Sequence, residues 1–212
     1  MLTDIAIRDI RLSYEDYRYR TPIKFGGVAV DRVTVLNVVV DTETRGGIIT
    51  RGFGSMPLGN VWAYPSKSMA YDQTLAAMRD VADSVADVYR GYTGFGHPID
   101  ITWALEHQYI REAASVGQRL KVADPIPVLA TMVCASPFDA ALHDAFGKAH
   151  GLNCFSTYGP DLLRHDLGHY LGEEFAGRKL NEFVLTKAKP RMPLYHLVGA
   201  LDPLAAAEVK QP

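Results

Sequence analysis

Residues Ser136 to Gly159 read SPFDAALHDAFGKAHGLNCFSTYG. Phe138, Ala141, Leu142, Ala145, Phe146 and Ala149 recur at the three-and-four spacing that gathers side chains on one stripe of a helix, and such a stripe has to be buried. Ser136 is placed to cap the first turn, Pro137 suits the first helical position, and Asp139 suits the positive end of the dipole. Gly151 followed by Leu152 is a left-handed stop with an apolar residue available across the cap. Asp144 and Lys148, four residues apart, form a pair worth a few tenths of a kcal/mol, up to about 0.5.

The residues on either side extend this helix into a layered fold. Val128 through Ala135 either begin the same helix, kinked at Pro137, or form a separate turn; the kinked helix is preferred. From Pro65 onward the period is also helical, with Tyr71, Leu75, Met78, Val81, Val85 and Val88 on one face and Gly91 at the end. Asp100 is expected to cap a second helix carrying Ala104, Leu105 and Tyr109, followed by a loose stretch from Gly117 to Pro127. The N-terminal part has a different period. Ile5 and Ile7 alternate in one phase and Ile10, Leu12 and Tyr14 in the other, which predicts a strand with a bulge near Asp9. A polar, aromatic loop is expected from Glu15 to Asp31. RVTVLNVVVD, Arg32 to Asp41, reads as a strand covered on both sides, Thr42 to Gly47 as a turn, and Ile48 to Phe53 as the returning strand of a hairpin. Strands first and helices after make an α+β fold: a three-stranded antiparallel sheet, residues 1–56, packed on a helical bundle, residues 65–160. Residues 161–212 read as a linker, a short alternating stretch at Lys179 to Leu185, a strand at Met192 to Val198 and a helix starting at Asp202-Pro203, which is one βα unit.

Composition narrows the function classes. The 212 residues are 48% hydrophobic, and 22 basic against 24 acidic side chains leave a net charge of −2. That balance gives no electrostatic case for nucleic acid or an anionic membrane surface. Cys134 and Cys154 are too few for a disulfide scaffold or a four-thiolate zinc site, which fits a reducing, cytoplasmic setting. The first residues lack the continuous apolar core of a signal peptide, and no stretch approaches the roughly 20 apolar residues that cross a bilayer.

An alanine-rich helix with Asp144, then Gly147-Lys148, then a Gly-hydrophobic turn leading to Tyr158-Gly159 resembles the hinge region of the enolase superfamily, in its mandelate racemase and muconate-lactonizing branch. TPIKFGG, Thr21 to Gly27, resembles the mobile loop between the first two strands of that family's N-terminal capping domain. GGIITRGFGSMP, Gly46 to Pro57, resembles its third strand and the loop after it, although Gly54 is followed by Ser55 where the family usually has Glu. The resemblance implies a capping domain leading into a (β/α) barrel, and removal of the α-proton of a small carboxylic acid such as a sugar acid, with the enediolate held by Mg²⁺. It implies a racemase, dehydratase or cycloisomerase, with a homo-oligomer expected. In the family the metal carboxylates and the Lys or His bases lie on barrel strands after the first, so the resemblance places no catalytic residue in this chain. What it places here is a lid: Tyr17, Arg20, Lys24 and Phe25 in the first loop and Met56, Asn60 and Trp62 in the second. Lys24 would pair with a substrate carboxylate or hydroxyl, and Phe25 and Trp62 would exclude solvent; without a ligand they are a solvated lysine and ordinary loop aromatics.

Two alternatives come from other classes. One is a non-catalytic binding or assembly module that uses the apolar surface a barrel would cover. The other is a zinc hydrolase, because His165, Asp166 and His169 form H-D-x-x-H, with Glu173 or Glu174 downstream as a third ligand. An Asp in place of Glu and a helix-weakening Gly168 count against the second. The glycines at 91, 94 and 96 lack the preceding strand and lysine of a phosphate loop, and Ser136 is not flanked as a nucleophile elbow would be.

Overall fold

Pro137 lies inside a helix in the computed structural model, not at its start: one helix, α4, runs Val128–Ala149. The expectation that Val128 to Ala135 belong to the same helix therefore holds, and the capping expectation for Ser136 does not. A proline in mid-helix has no N–H for the carbonyl four residues back. Ser136 compensates by donating its hydroxyl to the Val133 oxygen at 3.0 Å. Asp139, likewise, sits in the second half of a continuous helix rather than at a dipole end and accepts from Thr102 at 2.8 Å. Gly151 has φ +63°, and the Leu152 N–H reaches back to the Gly147 carbonyl at 2.9 Å, so the C-terminal stop forms as expected.

The structure describes residues 1–25, 27–185, 189–196, 198–199 and 201–209. Three antiparallel strands come first, β1 (Ile5–Phe25), β2 (Val28–Thr44) and β3 (Ile49–Pro57), in the order β1-β2-β3. The bulge expected near Asp9 appears as a register shift between Ile7 and Asp9. The loop expected over Glu15 to Asp31 is instead a paired ribbon. Tyr17 faces Val33, Ile23 faces Val30 and Phe25 faces Val28, with a second register shift between Arg18 and Ile23 that hides the alternation from a reading of the sequence. The central strand is covered on one side only. Leu36, Val38 and Val40 are fully buried, whereas Val33, Val35 and Val39 on the other face are partly exposed.

The helices α1 (Asn60–Ala63), α2 (Tyr71–Arg90), α3 (Pro98–Leu120) and α4 form the second layer. α2 buries Met78, Val81 and Val85 as its period requires, and Tyr71 and Leu75 lie at the rim. α3 starts three residues earlier than expected. Its N-cap is His97, whose ring accepts from the Ile99 N–H, and Asp100 falls in the first turn. It also runs on to Leu120, so the loose stretch is shorter than the sequence suggested, and Ala104 is exposed. α4 is the centre of the bundle and meets the sheet, α2 and α3 together. Its Phe138 ring stacks on Tyr89 at 5.2 Å.

The join between β3 and α4 is set by two glycines. A Cβ at Gly54 would lie 2.0 Å from the Pro137 carbonyl oxygen and one at Gly52 would lie 1.9 Å from that of Ala141. Thr50 donates to the Ala145 carbonyl at 3.0 Å. Helix residues 137, 141 and 145 thus face strand residues 54, 52 and 50, because four helical residues advance about 6 Å and two strand residues about 6.8 Å. Asp144 accepts from the Phe53 N–H at 2.9 Å, and Lys148, paired to Asp144 at 2.5 Å, donates to the Arg51 carbonyl at 3.2 Å. The pair therefore caps open backbone groups of an edge strand.

The C-terminal expectations fare differently. Lys179 to Leu185 contains a 3₁₀ turn at Leu180–Glu182 instead of an alternating strand. The strand expected at Met192 to Val198 is absent from its described residues, and Leu197 lies outside them. No helix starts at Asp202; among the described residues after it there is a 3₁₀ turn, Ala206–Glu208, and residues 210–212 lie outside the described residues. A segment with no neighbouring strand leaves its backbone groups without ladder partners, so alternation alone does not make it a strand.

Candidate functional site

Asn60 anchors the turn after β3. It is buried, and its amide donates to the Tyr71 carbonyl at 2.8 Å and to the Thr74 hydroxyl at 2.9 Å. This ties α1 to the start of α2 and holds Trp62 at the surface, 39% exposed, with its indole against Gly59. Asn60 is thus a positioning residue whose amide protons are spent on the chain.

Above this turn stands the far end of the ribbon. Ile23, Phe25 and Val30 from β1 and β2 join Tyr19, Leu58, Asn60, Trp62 and Tyr71 around a cavity of about 250 Å³. A neighbouring cavity of about 350 Å³ shares Phe25, Asn60, Trp62 and Tyr71 and continues to Tyr64 and Met69. Walls of this kind, aromatic with a few polar groups, suit the apolar part of a small ligand. The Tyr71 hydroxyl donates to the Arg32 carbonyl at 3.3 Å, and burial, the larger cause, pushes its pKa up. It stays protonated at neutral pH.

The seven residues expected to form a lid are thus divided. Phe25, Asn60 and Trp62 come together at these cavities. Tyr17 lines a separate cleft nearer the base of the ribbon. Lys24 is exposed and pairs with Ala29, one register position from Phe25, so it belongs to the opposite face. Arg20 is exposed and Met56 half-buried, and neither lines a cavity described here. Tyr19, Ile23, Val30 and Tyr71 were not among the expected lid residues: the register shift between Arg18 and Ile23 hides the first three from the sequence, and Tyr71 was read only as part of a helix face.

His165 and His169 stack at 3.9 Å, and His169 also lies 4.6 Å from Trp103. Asp166 is the N-cap of α5 (Leu167–Leu171): it accepts from the His169 N–H at 3.2 Å and, through its other oxygen, from the Gly177 N–H at 2.7 Å. These bonds, led by the one from Gly177, hold its carboxyl below the usual range. The H-D-x-x-H run is therefore a capping arrangement, and Glu173 sits in a following 3₁₀ turn. Among the described residues no group of three or more His, Cys, Asp or Glu is placed to hold a metal ion.

Solved structures similar to this chain come from the enolase superfamily. An enolase from Bradyrhizobium, in complex with magnesium and mandelic acid, matches at 20% identity over 73% of this chain and 35% of its own, with a TM-score of 0.45. L-talarate/galactarate dehydratase from Salmonella typhimurium matches at 17% identity over 74% and 34%, with a TM-score of 0.41. L-talarate dehydratase from Polaromonas, in complex with Mg and L-glucarate, matches at 23% over 73% and 35%, with a TM-score of 0.39. The chain spans about a third of the length of the structures it matches. No family model matches the sequence, and no curated protein does. No helix among the described residues is long and apolar enough to cross a membrane. The acidic side chains described here do not fit a bound Mg²⁺: Asp41, for instance, is engaged by Arg51 at 2.6 Å and Arg11 at 2.8 Å.

Proposed function

We propose that this chain is the capping portion of an enzyme of the enolase superfamily, in the mandelate racemase and muconate-lactonizing branch, acting on a small carboxylic acid. The convergence of the ribbon end and the turn after β3 on one aromatic cavity carries the proposal. Two segments far apart in sequence meet at one end of the sheet, where a lid would shut over a ligand. The hinge-like run from Asp144 to Gly159 and the order of sheet then bundle support the same assignment.

In this proposal Phe25 and Trp62 exclude water from the acid, and Asn60 fixes the turn that carries Trp62. Lys24 and Arg20 reach the ligand only if the ribbon end rotates, because Lys24 faces away from the cavity. Magnesium ligands and the proton-abstracting base come from residues other than those described here. Cytoplasmic location and a homo-oligomer belong to the proposal. The test is to incubate the full-length encoded protein with Mg²⁺ in D₂O against a panel of sugar acids and aromatic hydroxy acids, following the α-proton by NMR. Exchange that depends on Mg²⁺ is the expected result. No exchange with any acid, together with a stable oligomer in light scattering, would favour the binding or assembly module instead.

A further inference from the structure

Arg18 and Arg32 stand directly opposite each other in the β1–β2 register. Like charges at such a cross-strand position, roughly 5 Å apart at Cβ, repel and weaken the pairing. The pair lines a cleft of about 450 Å³ between the ribbon and α2, and Arg79 enters the same cleft from the helix. That volume is within the range of small-molecule sites, roughly 300–1,000 Å³.

The carboxylates nearby do not cancel the charge. Asp16 is drawn to one wall, where it accepts from Thr34 and from Arg79 Nη2. Asp72 meets Arg32 through one oxygen at 2.8 Å and its side chain is 78% exposed. Three guanidinium groups therefore face two carboxylates, and Arg18 makes no ion pair among the described residues. Arg79 bonds only through Nη2, and its Nε is buried without a partner. Two of the forks are already oriented: Arg32 lies over the Tyr71 ring at 4.8 Å and Arg79 over the Tyr14 ring at 5.0 Å. Less side-chain freedom is then lost when a ligand is gripped.

We infer that this cleft binds a compact dianion, either a phosphate group or a pair of carboxylates, held by Arg18 and Arg32 from the ribbon and by Arg79 from α2. Guanidinium forks engage both oxyanions bidentately, and a bound dianion offsets the repulsion of the opposed arginines. The site shares Arg32 and Val33 with the aromatic cavity but stands without the enolase-type proposal, because it rests on register and charge alone.

Isothermal titration calorimetry of the purified chain with sodium phosphate, and separately with sodium succinate, at constant ionic strength, tests it. At least one titration is expected to saturate at one site, and the Arg18→Gln/Arg32→Gln variant to bind at least tenfold more weakly. Arg111→Gln, on the exposed face of α3, keeps wild-type affinity. Saturation by phosphate alone assigns a tetrahedral oxyanion, and by succinate alone a dicarboxylate. The double variant is expected to melt at or above the wild-type temperature without ligand, since the like-charge pair is gone. No saturable heat with either anion, undiminished affinity in the double variant, or a melt well below wild type would overturn the inference.

Discussion

Gly54 has no room for a side chain, because the obstacle is the backbone oxygen of Pro137 at 2.0 Å and not the movable end of a neighbour. Gly54→Ala is expected to cost about 3 kcal/mol or more in urea unfolding, at the upper end for overpacking; a cost below about 1 kcal/mol would mean that β3 and α4 separate easily. Asp144 and Lys148 offer a sharper comparison within one ion pair. Asp144→Ala strands the Phe53 N–H and is expected to cost about 1–2 kcal/mol, whereas Lys148→Met loses an exposed pair and one carbonyl contact, about 0.5 kcal/mol. Equal losses would refute the edge-capping role. At this scale much was readable. The stripe from Phe138 to Phe146 and the stop at Gly151 follow from spacing alone, while Ser136 was misjudged because its partner, the carbonyl freed by Pro137, exists only once the helix continues upstream.

The start of α3 and the middle of α4 share a buried histidine cluster. His97 is fully buried, 5.7 Å from His143 and 4.7 Å from Phe146 between ring centroids. Its Nδ1 accepts from Ile99, which puts the proton on Nε2. Burial first, and then the neighbouring His143, push its pKa down to about 3 from the ordinary 6.5. Burial also lowers His143, against the pull of Asp139. Between pH 6.5 and 3 the unfolded chain binds a proton at His97 that the folded chain refuses, so stability rises with pH through that window. His97 alone contributes a slope of up to about 1.4 kcal/mol per pH unit. Denaturant unfolding between pH 7 and 5 is expected to show this loss on acidification, and His97→Asn, which keeps an acceptor at the N-cap, to flatten it; an unchanged slope would contradict the assignment. The sequence located both helices but not this contact, because His97 and His143 are joined only by packing. The ribbon of β1 and β2 was missed for a different reason: the shift between Arg18 and Ile23 breaks the alternation, and with most of its residues exposed there is no apolar face to announce the strand.

Across the whole molecule the core ends early. Leu163 and Leu167 are the last buried apolar side chains among the described residues, and Leu194, Tyr195 and Leu204 are exposed at 97%, 91% and 83%. The apolar run at Met192 to Val198 looked like a strand because the sequence carries the alternation but not the neighbours. A chain ending at residue 185 is expected to melt within about 3 °C of the full chain, a shift worth about 1 kcal/mol for a domain of this size; a larger drop would show that residues 186–212 contribute to the core. The proposed lid is also a property of the whole, since Phe25 and Trp62 meet only through the ribbon and the turn after β3. Its most direct test is the rate of Mg²⁺-dependent α-proton exchange in D₂O, on the acid that exchanges fastest, for the full-length encoded protein and its Phe25→Ala/Trp62→Ala variant. The variant is expected to exchange at least tenfold more slowly at subsaturating acid with its melting temperature retained; equal rates, or no exchange in either protein, would contradict the proposed lid.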